Sequence, residues 1–371
     1  MMNKLFKLDW ILIFVTLLLL GVGVLIMYSL TAANLSEGNN IFTRQVSFGA
    51  LGLVAMFFFA LTDYHYLRSY SRTIYFGALA LLVIVLFLGV TVRGTSGWLG
   101  FQSISFQPVE FAKIALIVFL ASFISQKKSE LSETTRLVVS LCLMALMVFL
   151  VLRQPDLGSA LVLVSIWAGV VVVSGISKKK FAILLLIGMV IALGSWPLFA
   201  GYQKDRIMTF LHPERDPRGS GYNVIQAMIA VGSGGLRGEG IGRGSQSQLN
   251  FLPEKHTDFV YSVVAEELGI LGAFLVLALY LTLLYRIKRI AASAPDNFGF
   301  LIATGVMTML LFQMVVNIGM NIGAMPVTGI TLPLVSYGGS SLLAVLASIG
   351  IVLNVGMRRN MFDTTATISG T

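Results

Sequence analysis

The sequence predicts an all-α polytopic membrane protein, a bundle of ten transmembrane helices with both termini cytoplasmic and one large extracytoplasmic loop at about 202–258. Three observations carry this. Hydrophobic residues make up 56% of the 371 residues and charged residues only 12%, where a soluble domain is about a quarter charged. Mean hydropathy is +0.86. The apolar residues also fall in blocks close to the roughly 20 residues that a helix needs to span a bilayer.

In chain order the blocks are 9–31, 43–62, 73–92, 108–126, 136–152, 157–176, 181–201, 259–285, 298–320 and 332–357. The first is too long for a cleavable signal and lacks a small-residue cleavage site, so it reads as an uncleaved anchor. The fourth is unusual in carrying Glu110 and Lys113, whereas 157–176 and 298–320 hold no Asp, Glu, Lys or Arg. With the N-terminus inside, 15 of the 26 Lys and Arg residues fall on the inner side. Only Arg44, Arg93, Lys113 and Arg153 fall in short outer loops or outer helix ends. The remaining seven lie in 202–258, and long loops count little in the positive-inside rule. The connections are short, so 1–371 reads as a single integral membrane domain with a cytoplasmic tail at 358–371.

The net charge of +9 follows from this topology and from anionic headgroups. No basic patch interleaved with aromatics indicates nucleic acid as a partner. Cys142, the only cysteine, falls within an apolar span and excludes an internal disulfide. Asn34-Leu35-Ser36 matches a glycosylation sequon too common to carry weight.

The dense polar run NFLPEKHTDFVYSVVAEELG at 250–269 leads straight into the eighth span. Asp258 lies at the lip of that helix, with Glu266 and Glu267 two to three turns further in. A carboxylate in or beside hydrocarbon costs several kcal/mol unless it faces protein, water or a cation. Glu266 and Glu267 are expected to pair with cations of neighbouring helices. Asn317 and Asn321 are expected to hydrogen-bond between helices. Ser336–Ser341 after Pro333 allow close packing or a break in the last span.

Pro108 suits a first helical turn, and Glu110 then meets the positive end of the helix dipole, a structural reading that competes with a functional one. Lys113 breaks both the dipole preference and the positive-inside bias, which favours function over a snorkelling lysine. Asp156 either caps the sixth span or faces a ligand. Arg44 is read as an interfacial anchor or a ligand contact. Arg44, Lys113, Asp156 and Asp258 share the outer face, a mixture that suits a substrate with a phosphate and sugars. The glycine-rich run 232–245 reads as a flexible loop or as a backbone nest for phosphate. A zinc site from His212, His256 and Asp258 lacks the usual ligand spacing, so no metal site is assigned.

Together FQPVEFAKIA (106–115), RQPDLGSALV (153–162), IQAMIAVGSGGLRGEG (225–240), FLPEKHTDFVYSVVAEELG (251–269) and LPLVSYGGSSLL (332–343) resemble the SEDS family of bacterial cell-wall polymerases. The resemblance spans about 40–357, and SQSQLNFLPEKHTDF is closer to the elongation branch, RodA, than to the division branch, FtsW. It implies a peptidoglycan glycosyltransferase of the inner membrane that polymerises lipid II, the undecaprenyl-diphosphate-linked disaccharide pentapeptide. Its partners would be a class B penicillin-binding protein, which supplies the transpeptidase, and other elongation-complex proteins. The resemblance places the essential carboxylate at Asp258 and substrate contacts at Arg44, Glu110, Lys113, Asp156, His256 and Thr257. The family often has Arg-Trp where this chain has Gly97-Trp98, which puts a contact from that loop in doubt.

The chemistry is consistent with the residues alone. An inverting displacement at an anomeric carbon needs one base for the acceptor hydroxyl. A diphosphate leaving group needs cations more than an acid. Lys113 and Arg44, or a divalent cation such as Mg²⁺ or Mn²⁺, would meet its charge. Two alternatives remain: a lipid II flippase using Glu266, Glu267, Asn317 and Asn321 as a membrane-deep path, and a non-catalytic scaffold for the transpeptidase.

Overall fold

A computed structural model describes residues 6–32, 38–92, 94–101, 104–126, 132–194, 201–215 and 220–368. The sequon at 34–36, and Lys4, Arg93, Lys127, Lys128 and Arg218 of the charge count, lie outside the described residues. The chain is a helical bundle made of α1 (Trp10–Ala32), α2 (Gly38–Leu61), the short α3 (His65–Ser69) and α4 (Ser71–Leu88). Then come α5 (Pro108–Ser125), α6 (Glu133–Leu152), α7 (Leu157–Val173) and α8 (Lys178–Gly194). The segment after them holds α9 (Gly201–Leu211), α10 (Ser220–Ser233) and α11 (Ser245–Gln248). Last are α12 (Val260–Ala292), α13 (Asn297–Asn321) and α14 (Gly339–Ile368).

Eight of the described helices are long and apolar enough to cross a membrane. The sixth expected span is a shorter apolar helix of 17 residues, Leu157–Val173. The seventh, α8, opens in three lysines. Burial orders the bundle. The α14 and α5 spans are 89% and 78% buried and form its centre, whereas α2, α6 and α12 are only 28% buried. Their outer faces are apolar all round, as suits contact with lipid. Cys142 is exposed on α6, one of these outer helices.

Helix ends follow local chemistry. Pro108 opens α5, and the carboxylates of Asp156 and Asp296 accept from Ser159 N (2.9 Å) and Gly299 N (2.8 Å) to cap α7 and α13. These caps satisfy amides that a helix leaves without internal partners. At another end of the bundle, Asp63 accepts from His65 Nδ1 (2.8 Å) and pairs with Arg358 (2.6 Å), and the Tyr64 hydroxyl donates to Asp296 (2.9 Å). Burial would raise the Asp63 carboxyl, but the His65 hydrogen bonds and the Arg358 charge hold it below the usual carboxylate range. This cluster ties the α2–α3 turn to α13 and α14.

Three differences from the sequence reading affect the site. The third span stops at Leu88, and β1 (Val90–Val92), β2 (Thr95–Phe101) and β3 (Ile104–Phe106) form a small antiparallel sheet in order β1-β2-β3. Aromatic and β-branched residues alternating there suit a short meander. The last span starts at Gly339, leaving 332–338 irregular.

The third difference is a break in α12 at Gly269, where φ is +70° and ψ −170°. The glycine-rich run docks onto this break. Glu239 N and Gly240 N donate to the carbonyls of Glu266 and Glu267 (3.0 and 3.1 Å), and Ile270 N donates to Gly235 O (2.9 Å). The run is therefore a packed backbone splice, which accounts for its glycines. A Cβ on Gly238 (φ +80°) would lie 2.1 Å from Glu267 O, and one on Gly269 would lie 2.3 Å from Gly238 N. Left-handed backbone alone costs a non-glycine residue on the order of 1–3 kcal/mol. Gly238→Ala and Gly269→Ala are each expected to lower the melting temperature in detergent by several degrees, as read by intrinsic fluorescence.

Candidate active site

A cavity of about 230 Å³ opens among α2, the sheet, α5, α7, α9, α13 and the segments before α12 and α14. Arg44, Glu110, Lys113, Asp156, Thr257 and Asp258, far apart in sequence, all line it.

The Asp258 segment is held from three directions. Thr257 N, Asp258 N and Phe259 N converge on Glu254 O at 3.1, 3.2 and 3.3 Å, a turn in which Asn250 and Glu254 take left-handed backbone (φ +61° and +51°). Such conformations persist only where the surroundings over-determine them. From α13, Asn317 Nδ2 and Asn321 Nδ2 donate to Asp258 O (3.0 and 2.9 Å), while Asn321 Oδ1 accepts from Ser262 N (2.9 Å) and Ser262 Oγ (2.7 Å). From the irregular segment before α14, Ser336 Oγ donates to Thr257 O (2.6 Å) and Tyr337 N to His256 O (2.7 Å). Thus Asn321 bonds between helices through Ser262, Asn317 bonds carbonyls outside the helices, and both secure the backbone of Asp258. The Ser336–Ser341 stretch breaks the last span to do the same.

The carboxylate of Asp258 is half-buried, and its Oδ2 lies 3.8 Å from where a Cβ of Gly329 (φ +76°) would project. Opposite it in the lining is α5, whose Lys113 donates to Glu110 at 2.8 Å, both side chains being almost fully buried. A buried pair of this kind is retained at a net desolvation cost, which points to use of the lysine charge. Asp156 serves both roles read for it: Oδ1 caps α7, and the residue lines the cavity beside Gln107. Arg44 is exposed, on the cavity wall.

Two readings change. His256 does not line the cavity, although its carbonyl helps to place the segment. Among the described residues, Glu266 and Glu267 do not take cations from neighbouring helices. Glu266 accepts from Gln246 N (2.7 Å) and Ser247 N (3.1 Å), and Glu267 from Ser29 Oγ (2.5 Å) and Gln248 Nε2 (3.0 Å). The cation whose charge they feel is Lys255 of the adjoining turn. It donates to Ser247 O and to Asn250 Oδ1 (2.6 Å). Burial lowers the Lys255 ammonium from its usual range, against the pull of the two glutamates. None of Glu266, Glu267, Asn317 and Asn321 lines the cavity. Among the described residues no three His, Cys, Asp or Glu side chains converge to hold a metal ion, so the zinc trio does not assemble.

The family model described as "Cell cycle protein", which covers FtsW, RodA and SpoVE, matches residues 9–361. The chain belongs to the FtsW/RodA/SpoVE family. Stage V sporulation protein E of Bacillus subtilis is 41% identical over 94% of this chain and 96% of that protein. Peptidoglycan glycosyltransferase MrdB of Escherichia coli K12 is 39% identical over 91% and 92%. Identities this close do not assign the branch. Among solved structures, rod shape determining protein RodA of Thermus thermophilus aligns with TM-score 0.70, 32% identity and coverage of 95% and 97%. A chain from a peptidoglycan synthase complex, described as coordinating polymerization and crosslinking, aligns with TM-score 0.79, 35% identity and coverage of 95% and 98%.

In this FtsW/RodA/SpoVE member the cavity also contains residues that the sequence did not mark. Arg206 of α9 adds a cation to the wall, and its Nη1 donates to Thr328 O (2.9 Å). Its signal was hidden because positive charge in a long outer loop carries no topological anomaly. Thr95 and Trp98 bring the sheet into the lining in spite of Gly97, whose Cβ would meet Gln154 Oε1 at 3.0 Å. The loop thus reaches the cavity through Thr95 and Trp98, with no side chain at Gly97.

Proposed function

We propose that this chain is a peptidoglycan glycosyltransferase that polymerises lipid II on the outer face of the bacterial cytoplasmic membrane, with Asp258 as general base. The observation that carries the reading is that Asp258, Lys113, Arg44 and Arg206 all line the same cavity. A topology of ten spans with both termini cytoplasmic puts that cavity outside, where the charge bias already places Asp258. The wording of 245–259 favours the elongation branch. The likeness to a chain of a peptidoglycan synthase complex supports a class B penicillin-binding protein as partner, alongside other elongation-complex proteins.

In the proposed step the Asp258 carboxylate takes the proton of the acceptor hydroxyl as its oxygen attacks the anomeric carbon of the donor. The bond to the diphosphate breaks on the opposite side with its electron pair, which inverts the linkage from α to β. Lys113, Arg44 and Arg206 meet the charge that develops on the leaving diphosphate. Glu110 holds Lys113 in place.

The test is polymerisation of purified lipid II by the reconstituted protein with its partner, run with and without chelator. Glycan strands are expected from the wild type without chelator, and their absence there would remove the assignment; the chelator arm reads whether a divalent cation takes part. Asn321→Leu should lower kcat by about ten- to a hundredfold with KM little changed. It loosens the backbone that aims Asp258 without touching the substrate, and misplacement by about 1 Å can cost that much. An unchanged kcat in initial-rate measurements would refute this positioning role.

A further inference from the structure

Two neutral side chains of the cavity lining each bury an oxygen that no described residue meets. Gln313 of α13 is 1% exposed and Thr328 6% exposed, both line the cavity, and among the described residues neither Gln313 Oε1 nor Thr328 Oγ1 has a hydrogen-bond partner. The contrast with their neighbours is sharp. Asn317, one turn further along α13, is bonded to Asp258 O and Ile330 O. Arg206 fixes the carbonyl of Thr328 but leaves its hydroxyl unmet. Burying a polar group unmet is costly, so two of them in one cavity lining call for a ligand that satisfies both.

The chemistry narrows that ligand. An amide presents both an acceptor and donors, and so does a hydroxyl. Phosphate oxygens only accept, and the cavity's cations already match them. We propose that Gln313 and Thr328 form a neutral polar subsite that reads hydroxyl or acetamido groups of a substrate sugar, which makes them specificity-determining residues. This rests on the glycosyltransferase reading. Sites built to hydrogen-bond a substrate group reject analogues that lack it.

The substitutions Gln313→Leu and Thr328→Val keep side-chain bulk and remove the hydrogen bonds. Each is expected to raise KM for lipid II by about tenfold, close to the loss of one or two hydrogen bonds. The melting temperature should stay level or rise, because an unmet polar group has been removed. A purely structural role would move the two readouts the other way. Wild-type enzyme is also expected to discriminate against donors that each lack one sugar hydroxyl or acetamido group, and Gln313→Leu to lose that discrimination for one of them. If wild type polymerises lipid II while both variants keep its KM and its discrimination, the subsite is overturned and the proposed function stands. Failure of wild type itself would instead count against the function.

Discussion

Asp258→Asn is expected to abolish measurable polymerisation of lipid II, a fall of at least about 10²- to 10⁴-fold in kcat, the usual contribution of a positioned general base. The substitution keeps the size of the side chain and leaves the backbone bonds from Asn317 and Asn321 in place, because they reach the Asp258 carbonyl rather than its carboxylate. The melting temperature should therefore stay close to wild type, and binding of lipid II should survive. Asp258→Ala should behave alike in rate. Glycan strands formed undiminished by both variants would refute the base assignment and restore the scaffold reading.

The second large effect is expected at the Lys113–Glu110 pair. Lys113→Met leaves the Glu110 carboxylate buried without its cation, and breaking a buried pair costs about 3–5 kcal/mol. A marked loss of thermal stability and of activity should follow. The double variant Lys113→Met with Glu110→Gln removes both charges and should recover most of the stability. It should not recover the rate, because the cation facing the cavity is gone, and one electrostatic contact to a developing charge is worth about 10²–10³ in kcat. Melting curves and initial rates on the same preparations separate the two roles. A double variant with wild-type rate would make the pair purely structural.

Much of this site was legible as charge in the wrong place. Lys113 violates two preferences at once, and Asp258 stands at the edge of an apolar helix, so each signals itself without knowledge of the fold. Glu266 and Glu267 gave an equally strong signal and a different meaning. Their partners are amides and side chains of 246–248, together with Ser29, and the return of that loop onto the Gly269 break is not written in local pattern. Gln313 and Thr328 gave no signal, because a neutral polar residue is unremarkable in a helix or a loop until its partners are counted. Arg206 was masked by the tolerance of long loops for positive charge.

The chain alone determined the class, the place of most membrane segments, and the residues whose charge needed explaining. Insertion of a span is decided largely by its own composition over about 20 residues, so it can be read locally. The tertiary structure decided where spans stop for the sheet, where α12 breaks, and which polar groups meet in one cavity. Those depend on approaches of a few ångströms between segments up to some 290 residues apart, such as Gln45 Nε2 to Ser336 O at 3.3 Å. Hydrogen bonds and ion pairs fall off within such distances, and a linear pattern does not encode them.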